Sequence, residues 1–126
     1  MDKKQALEIV IANGYELEKL PMKFKKDRDV VLEAIKTSGL GGLQYADKSF
    51  YKDRDLLLTA VLTEGRCLSR ADENLKKDKE IVLAAIKQDG KALEYAHDTF
   101  KKDKEIVLIA VKNAGWALEH ADKSLQ

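Results

Sequence analysis

Two histidines, one cysteine and a recurring set of aspartates are the residues of this chain able to bind a metal or carry a proton. Their spacing argues against both uses. His97 and His120 occupy different places relative to the preceding glycine, and neither has a His, Cys or carboxylate four residues away in a metal-binding pattern. Cys67 has no second cysteine to pair with and stands where other parts of the chain carry Ala92 and Ala117, which makes it a small packing residue. Asp47, Asp72 and Asp122 recur at regular intervals, a placement that suits turn caps rather than one convergent pocket. There is no GxGxxG and no phosphate-binding loop. We assign no catalytic residue, no cofactor and no metal ligand, and expect a protein that is not an enzyme.

The side chains with binding chemistry are those at the first and fifth positions after a recurring glycine. They read Tyr15 and Lys19, Arg66 and Arg70, Lys91 and Tyr95, and Trp116 and His120, with Tyr45 the clear member of an interrupted copy. Four apart on a helix, each pair shares a face. Tyr, Trp and Arg are also the residues that most often anchor interfaces. Stacked copies would line them up as an aromatic and cationic ladder able to contact an acidic peptide or a protein surface. The competing reading is that the rings and aliphatic stems shield the seam between neighbouring helices. A second basic row, Lys25-Lys26, Lys52, Lys76-Lys77 and Lys101-Lys102, is followed at once by Asp and usually another acid, so it is nearly self-neutralised.

The elements that must position these residues are written five times. Asp2, Asp27, Asp53, Asp78 and Asp103 each open a copy, and Gly14, Gly39, Gly65, Gly90 and Gly115 stand 12 residues further on. The Asp offers an oxygen to the free amides of a helix N-terminus, and Asp29, Asp55, Glu80 and Glu105 add a second acid at the positive end of the dipole. An apolar run follows, with the stripe Ile81, Val82, Ala85 and Ile86 widened by Leu83, whose equivalents are Leu7, Leu32, Leu58 and Leu108. The glycine is expected to take the left-handed conformation and stop this helix A of about 12 residues. A shorter helix B then carries Leu and Ala three apart, as in Leu68 and Ala71 or Leu93 and Ala96. Phe24, Phe50, Leu75, Phe100 or Leu125 ends the copy.

No strand is expected. Helices this short are marginal alone, so copies must stack. The expected fold is all-α, an α-α solenoid of five ~25-residue helix-turn-helix repeats in a single domain, residues 1–126, with repeats near 2–26, 27–52, 53–77, 78–102 and 103–126. Copy one, with Gln5 and Ala6 in place of a bulky pair and Leu20 where others have Ala, reads as a more polar N-terminal cap. The extra residue at Gly41-Gly42 is expected to loosen the second B helix. The last copy has no comparable cap; either the array continues, or a partner or a second copy covers that end as a homodimer.

A net charge of +1 excludes a global field that would draw the chain to nucleic acid or an anionic membrane. The N-terminus lacks a secretion signal and no apolar run reaches membrane-spanning length, so a cytoplasmic protein is expected, or one delivered without a classical signal.

The pattern Asp-Lys/Arg-Asp/Glu, two apolar residues, Leu-x-Ala, then Gly-x-x-Leu-x-x-Ala-Asp resembles the short two-helix repeats of the domain of unknown function 4116 family. Lys77 to Ala96 and Lys102 to Leu125 carry the resemblance best. That family places an aromatic after the Gly, kept here by Trp116 and Tyr15 and lost at Leu40, Arg66 and Lys91. The resemblance implies the repeat fold and an interaction role, and transfers no catalytic residue. The function expected is a non-catalytic helical-repeat scaffold for protein-protein or peptide interaction. The alternatives are RNA or single-stranded DNA binding along the ladder, and a structural spacer or oligomerisation module.

Overall fold

The structure, a computed structural model, describes residues 1–113, and among these every regular element is helical. Five long helices, α1 (Lys3–Ala12), α3 (Arg28–Ser38), α5 (Arg54–Thr63), α6 (Lys79–Gln88) and α8 (Lys104–Asn113), open the five copies. Short α-turns lie at α2 (Met22–Lys25), α4 (Leu40–Leu43) and α7 (Asp98–Lys101). Gly14–Lys19, Lys48–Lys52, Gly65–Arg70, Leu75–Lys77 and Gly90–Tyr95 are 3₁₀ segments.

Each opening aspartate caps its helix. Asp78 Oδ1 accepts from the amides of Glu80 at 3.1 Å and Ile81 at 3.3 Å, and Asp53 Oδ1 from Leu56 at 3.1 Å. Asp2 and Gln5 cap each other reciprocally. The buried stripe follows the helical period: Val30, Val31, Ala34 and Ile35 on α3, and their counterparts on α5 and α6, lose all their exposure. Leu17, Leu43, Leu68 and Leu93 close the core from the second segments. On α1, Lys4, Gln5 and Glu8 face solvent, and Ile11 joins them at 53 % exposed.

Four details differ from the sequence reading. Helices α1, α3, α5 and α6 stop at 10 or 11 residues, and among the described residues only Gly39, at φ 50°, has the positive φ expected of a helix-stopping glycine. Copies one, three and four instead end on an extended residue, Asn13, Glu64 or Asp89, with the glycine beginning the next turn. Asn13 and Asp89 also cap that turn, accepting from the amides of Tyr15 and Lys91 at 3.0 Å. The glycines serve close approach. A Cβ on Gly14 would lie 2.2 Å from the Ala34 carbonyl oxygen, and one on Gly65 would lie 2.4 Å from that of Ala85. Gly in one copy and Ala in the next helix together let two backbones touch.

The expected B helix is a 3₁₀ turn in copies one, three and four. With about three residues per turn, residues three apart eclipse, which is why Leu68 with Ala71 and Leu93 with Ala96 are buried together. In copy two the extra residue does not loosen the segment. Gly39 absorbs it with its positive φ, and α4 closes with a Gln44 amide donating to the Leu40 carbonyl at 2.9 Å.

Each long helix packs on the one that opens the next copy, α1 on α3, α3 on α5, α5 on α6 and α6 on α8, and Gly14–Lys19, Gly65–Arg70 and Gly90–Tyr95 rest on the long helix that follows. The join is also hydrogen-bonded. The amides of Asp47, Asp72 and His97 donate to the carbonyls of Lys25, Tyr51 and Lys76 at 2.9–3.0 Å. Thr37 Oγ1 and Asn113 Nδ2 donate to the Val10 and Ile86 carbonyls at 3.0 and 2.9 Å, satisfying groups near the end of the preceding helix.

Candidate docking surfaces

The ladder residues sit on segments whose geometry splits them into two rows. On a 3₁₀ turn, positions one and five after the glycine point about 120° apart rather than sharing a face. The first row runs Tyr15, Arg66 and Lys91, with Gly41 at the matching place in copy two. The Tyr15 ring lies over Gly41, where an added Cβ would fall 2.5 Å from it, so this tyrosine covers the seam to the next copy while staying 48 % exposed. Arg66 is exposed; its Nε donates to Glu64 Oε1 at 2.6 Å, and Glu64 Oε2 accepts from the Leu40 amide at 2.9 Å, so a ladder cation steadies a clamp on copy two. Lys91 is exposed.

The second row runs Lys19, Tyr45, Arg70 and Tyr95. Lys19 and Arg70 are exposed, whereas Tyr45 and Tyr95 are half-buried against the core. The Glu18 carboxylate beside Tyr45 raises its phenol pKa. Trp116 and His120 lie outside the described residues, as does the second half of the last copy.

His97 takes the cap position held by Asp47 and Asp72 in copies two and three. Its Nδ1 accepts from the Thr99 amide at 3.2 Å, just as Asp47 Oδ2 accepts from Ser49 at 3.1 Å. Cys67 is fully buried, and burial pushes its thiol pKa up to about 12. Among the described residues no three His, Cys, Asp or Glu side chains cluster for a metal, and no helix is long and apolar enough to cross a membrane.

Sequence reasoning missed two features. The residue after each opening Asp is basic in all five copies, and in the first three it reaches across to the next copy's cap. Lys3 meets Asp27 at 3.3 Å and Asp29 at 2.7 Å, Arg28 meets Asp53 at 2.8 Å, and Arg54 meets Asp78 at 2.7 Å and Glu80 at 3.3 Å. Arg28 and Arg54 hold the Asp53 and Asp78 carboxyls below the usual carboxylate range, against a desolvation that pushes the other way. The invariant basic residue at that position was the available signal.

The second missed feature is where the leucine present in every copy lies. Leu7, Leu32, Leu58 and Leu83 are only half-buried and Leu108 is 51 % exposed, so this position flanks the core instead of filling it. Between α5 and α6 it opens into a groove of about 350 Å³ lined by Leu58, Leu62, Glu80, Leu83, Ala84 and Lys87.

The sequence profile described as "Domain of unknown function (DUF4116)" matches the chain at residues 2–52, 53–100 and 78–126. No curated protein and no solved structure matches it.

Proposed function

The chain belongs to the DUF4116 family, and from that premise we propose that it is a non-catalytic solenoid scaffold that binds a protein or peptide. The observation that carries the reading is the register of the joins. The Asp47, Asp72 and His97 amides bond to carbonyls 21 or 22 residues earlier, so matching positions of successive copies stand in fixed rows. Rows of unlike side chains on a repeated frame are what a binding surface needs, because rigidity keeps the ordering cost of binding low. Arg66, Arg70 and Lys91 supply cationic contacts, with Tyr15, Lys19, Tyr45 and Tyr95 beside them and Trp116 and His120 continuing the rows in sequence. Their charge favours an acidic partner.

The frame itself supports the non-catalytic part. Cys67 is fully buried with its thiol pKa pushed up to about 12, and His97 Nδ1 caps the Thr99 amide, so both have structural roles.

A photo-crosslinking residue at Arg70, with Lys52 as the control site, identifies the partner, and titration of the purified partner then measures affinity. Arg70→Ala should weaken binding at least five-fold while leaving the melting temperature within about 1 °C, because the side chain is exposed. Equal crosslinking at both sites, or unchanged affinity, overturns the assignment. A labelled single-stranded oligonucleotide titrated at low and high salt tests the nucleic-acid alternative, and salt-sensitive binding would replace the protein-partner reading.

A further inference from the structure

We propose that the groove between α5 and α6 is the seat of a short amphipathic helix lying antiparallel to α6. The proposal rests on the scaffold reading but uses a different surface from the 3₁₀ rows. Its floor is the leucine kept in every copy, here Leu58 and Leu83, which retains solvent exposure that the core does not require. The walls are built at this join. Leu62, 52 % exposed, replaces the lysine found at Lys36, Lys87 and Lys112, and Ala84 replaces the acid found at Glu8 and Glu33. Both changes remove polar rim from the same groove.

The two ends carry opposite charge. Glu80, its side chain 64 % exposed, stands in the first turn of α6, and Lys87, also exposed, in the last. Seven residues of helix separate them by about 10 Å, or two turns. A helix with Leu or Met on one ridge fills the apolar floor. A carboxylate in its first turn meets Lys87 and a cation in its last turn meets Glu80, an order that its own dipole also favours. Glu80 keeps its bond to Arg54 at 3.3 Å, so Lys87 is the sharper determinant of direction.

The probe is a lactam-constrained peptide of about 14 residues, helical without help from the groove. It carries a leucine ridge, Glu in the first turn and Lys in the last, and a second peptide has the two charges exchanged. Fluorescence anisotropy with the full chain should show the first binding about three- to ten-fold more tightly. Lys87→Glu should erase or reverse that preference. Ala84→Glu, which installs the residue of copies one and two, should abolish binding of both peptides without lowering the melting temperature. Failure of both peptides to bind, the same preference in Lys87→Glu, or full binding by Ala84→Glu overturns the proposal. So does a concentration-dependent dimer that Ala84→Glu disperses, because the groove would then hold a second copy. Arg70→Ala leaves peptide affinity unchanged, so the groove and the 3₁₀ rows fail or stand separately.

Discussion

Gly65→Ala puts the close-approach role of the repeat glycines to the sharpest test. The added methyl would sit 2.4 Å from the Ala85 carbonyl oxygen, and Cβ contacts under 3.0 Å essentially never occur, so the backbones must part by at least 0.6 Å. The obstructing atom is main chain, so no rotamer change relieves it. Overpacking of this kind costs about 1–3 kcal/mol. The stiffer unfolded chain offsets about 0.4–1 kcal/mol, leaving a net loss of about 1–2 kcal/mol. For a chain of this size each kcal/mol lowers the melting temperature by about 3–6 °C, so a fall of about 5–10 °C is expected by circular dichroism. Gly65→Asn separates the two roles of glycine. A left-handed helix stop tolerates Asn well, whereas a crowded contact rejects the larger side chain more than it rejects Ala. An alanine variant melting within 1 °C of the parent, or an asparagine variant more stable than the alanine one, would refute the close-approach account.

Asp78→Ala removes two capping bonds and the acceptor of Arg54, and should cost about 1 kcal/mol in urea unfolding, while Asp78→Asn keeps the cap and costs clearly less. Equal losses would mean that the ion pair, not the cap, matters. The Asp53 and Asp78 carboxyls are depressed in the folded chain. Their contribution is therefore fully present above the unfolded carboxylate pKa of about 3.9 and is lost as pH falls through their folded values. Urea midpoints should drop as the pH falls below about 4, and Arg28→Met with Arg54→Met should flatten that drop; an unchanged acid slope would contradict a role for these inter-copy ion pairs. Cys67, buried and with its thiol pKa near 12, should resist iodoacetamide at pH 8 in the native chain and react only once urea unfolds it. Rapid native alkylation read by mass spectrometry would place it at the surface.

Much of the framework was legible in the residues because it is local. Asp followed by an apolar stripe of period 3.6 specifies a capped helix wherever it occurs, and Asp2, Asp27, Asp53, Asp78 and Asp103 all precede one. The candidate binding residues were legible as types, since Tyr15, Arg66, Arg70 and Lys91 interrupt a repeated background. Their arrangement was not, because period three and period 3.6 cannot be told apart in a six-residue segment with one Leu whose apolar partner, three residues on, lies just past its end.

What the sequence determined by itself, then, is the count of copies, their caps and which side chains differ between them, all properties carried by neighbours along the chain. Tertiary structure decided the rest. It made Gly14 and Gly65 points of contact with Ala34 and Ala85, turned the basic residues after Asp2, Asp27 and Asp53 into bridges to the next copy, and left Leu83 and its counterparts beside the core. Each depends on the distance between groups about 20 or more residues apart. That distance is fixed only when one copy comes to rest on another.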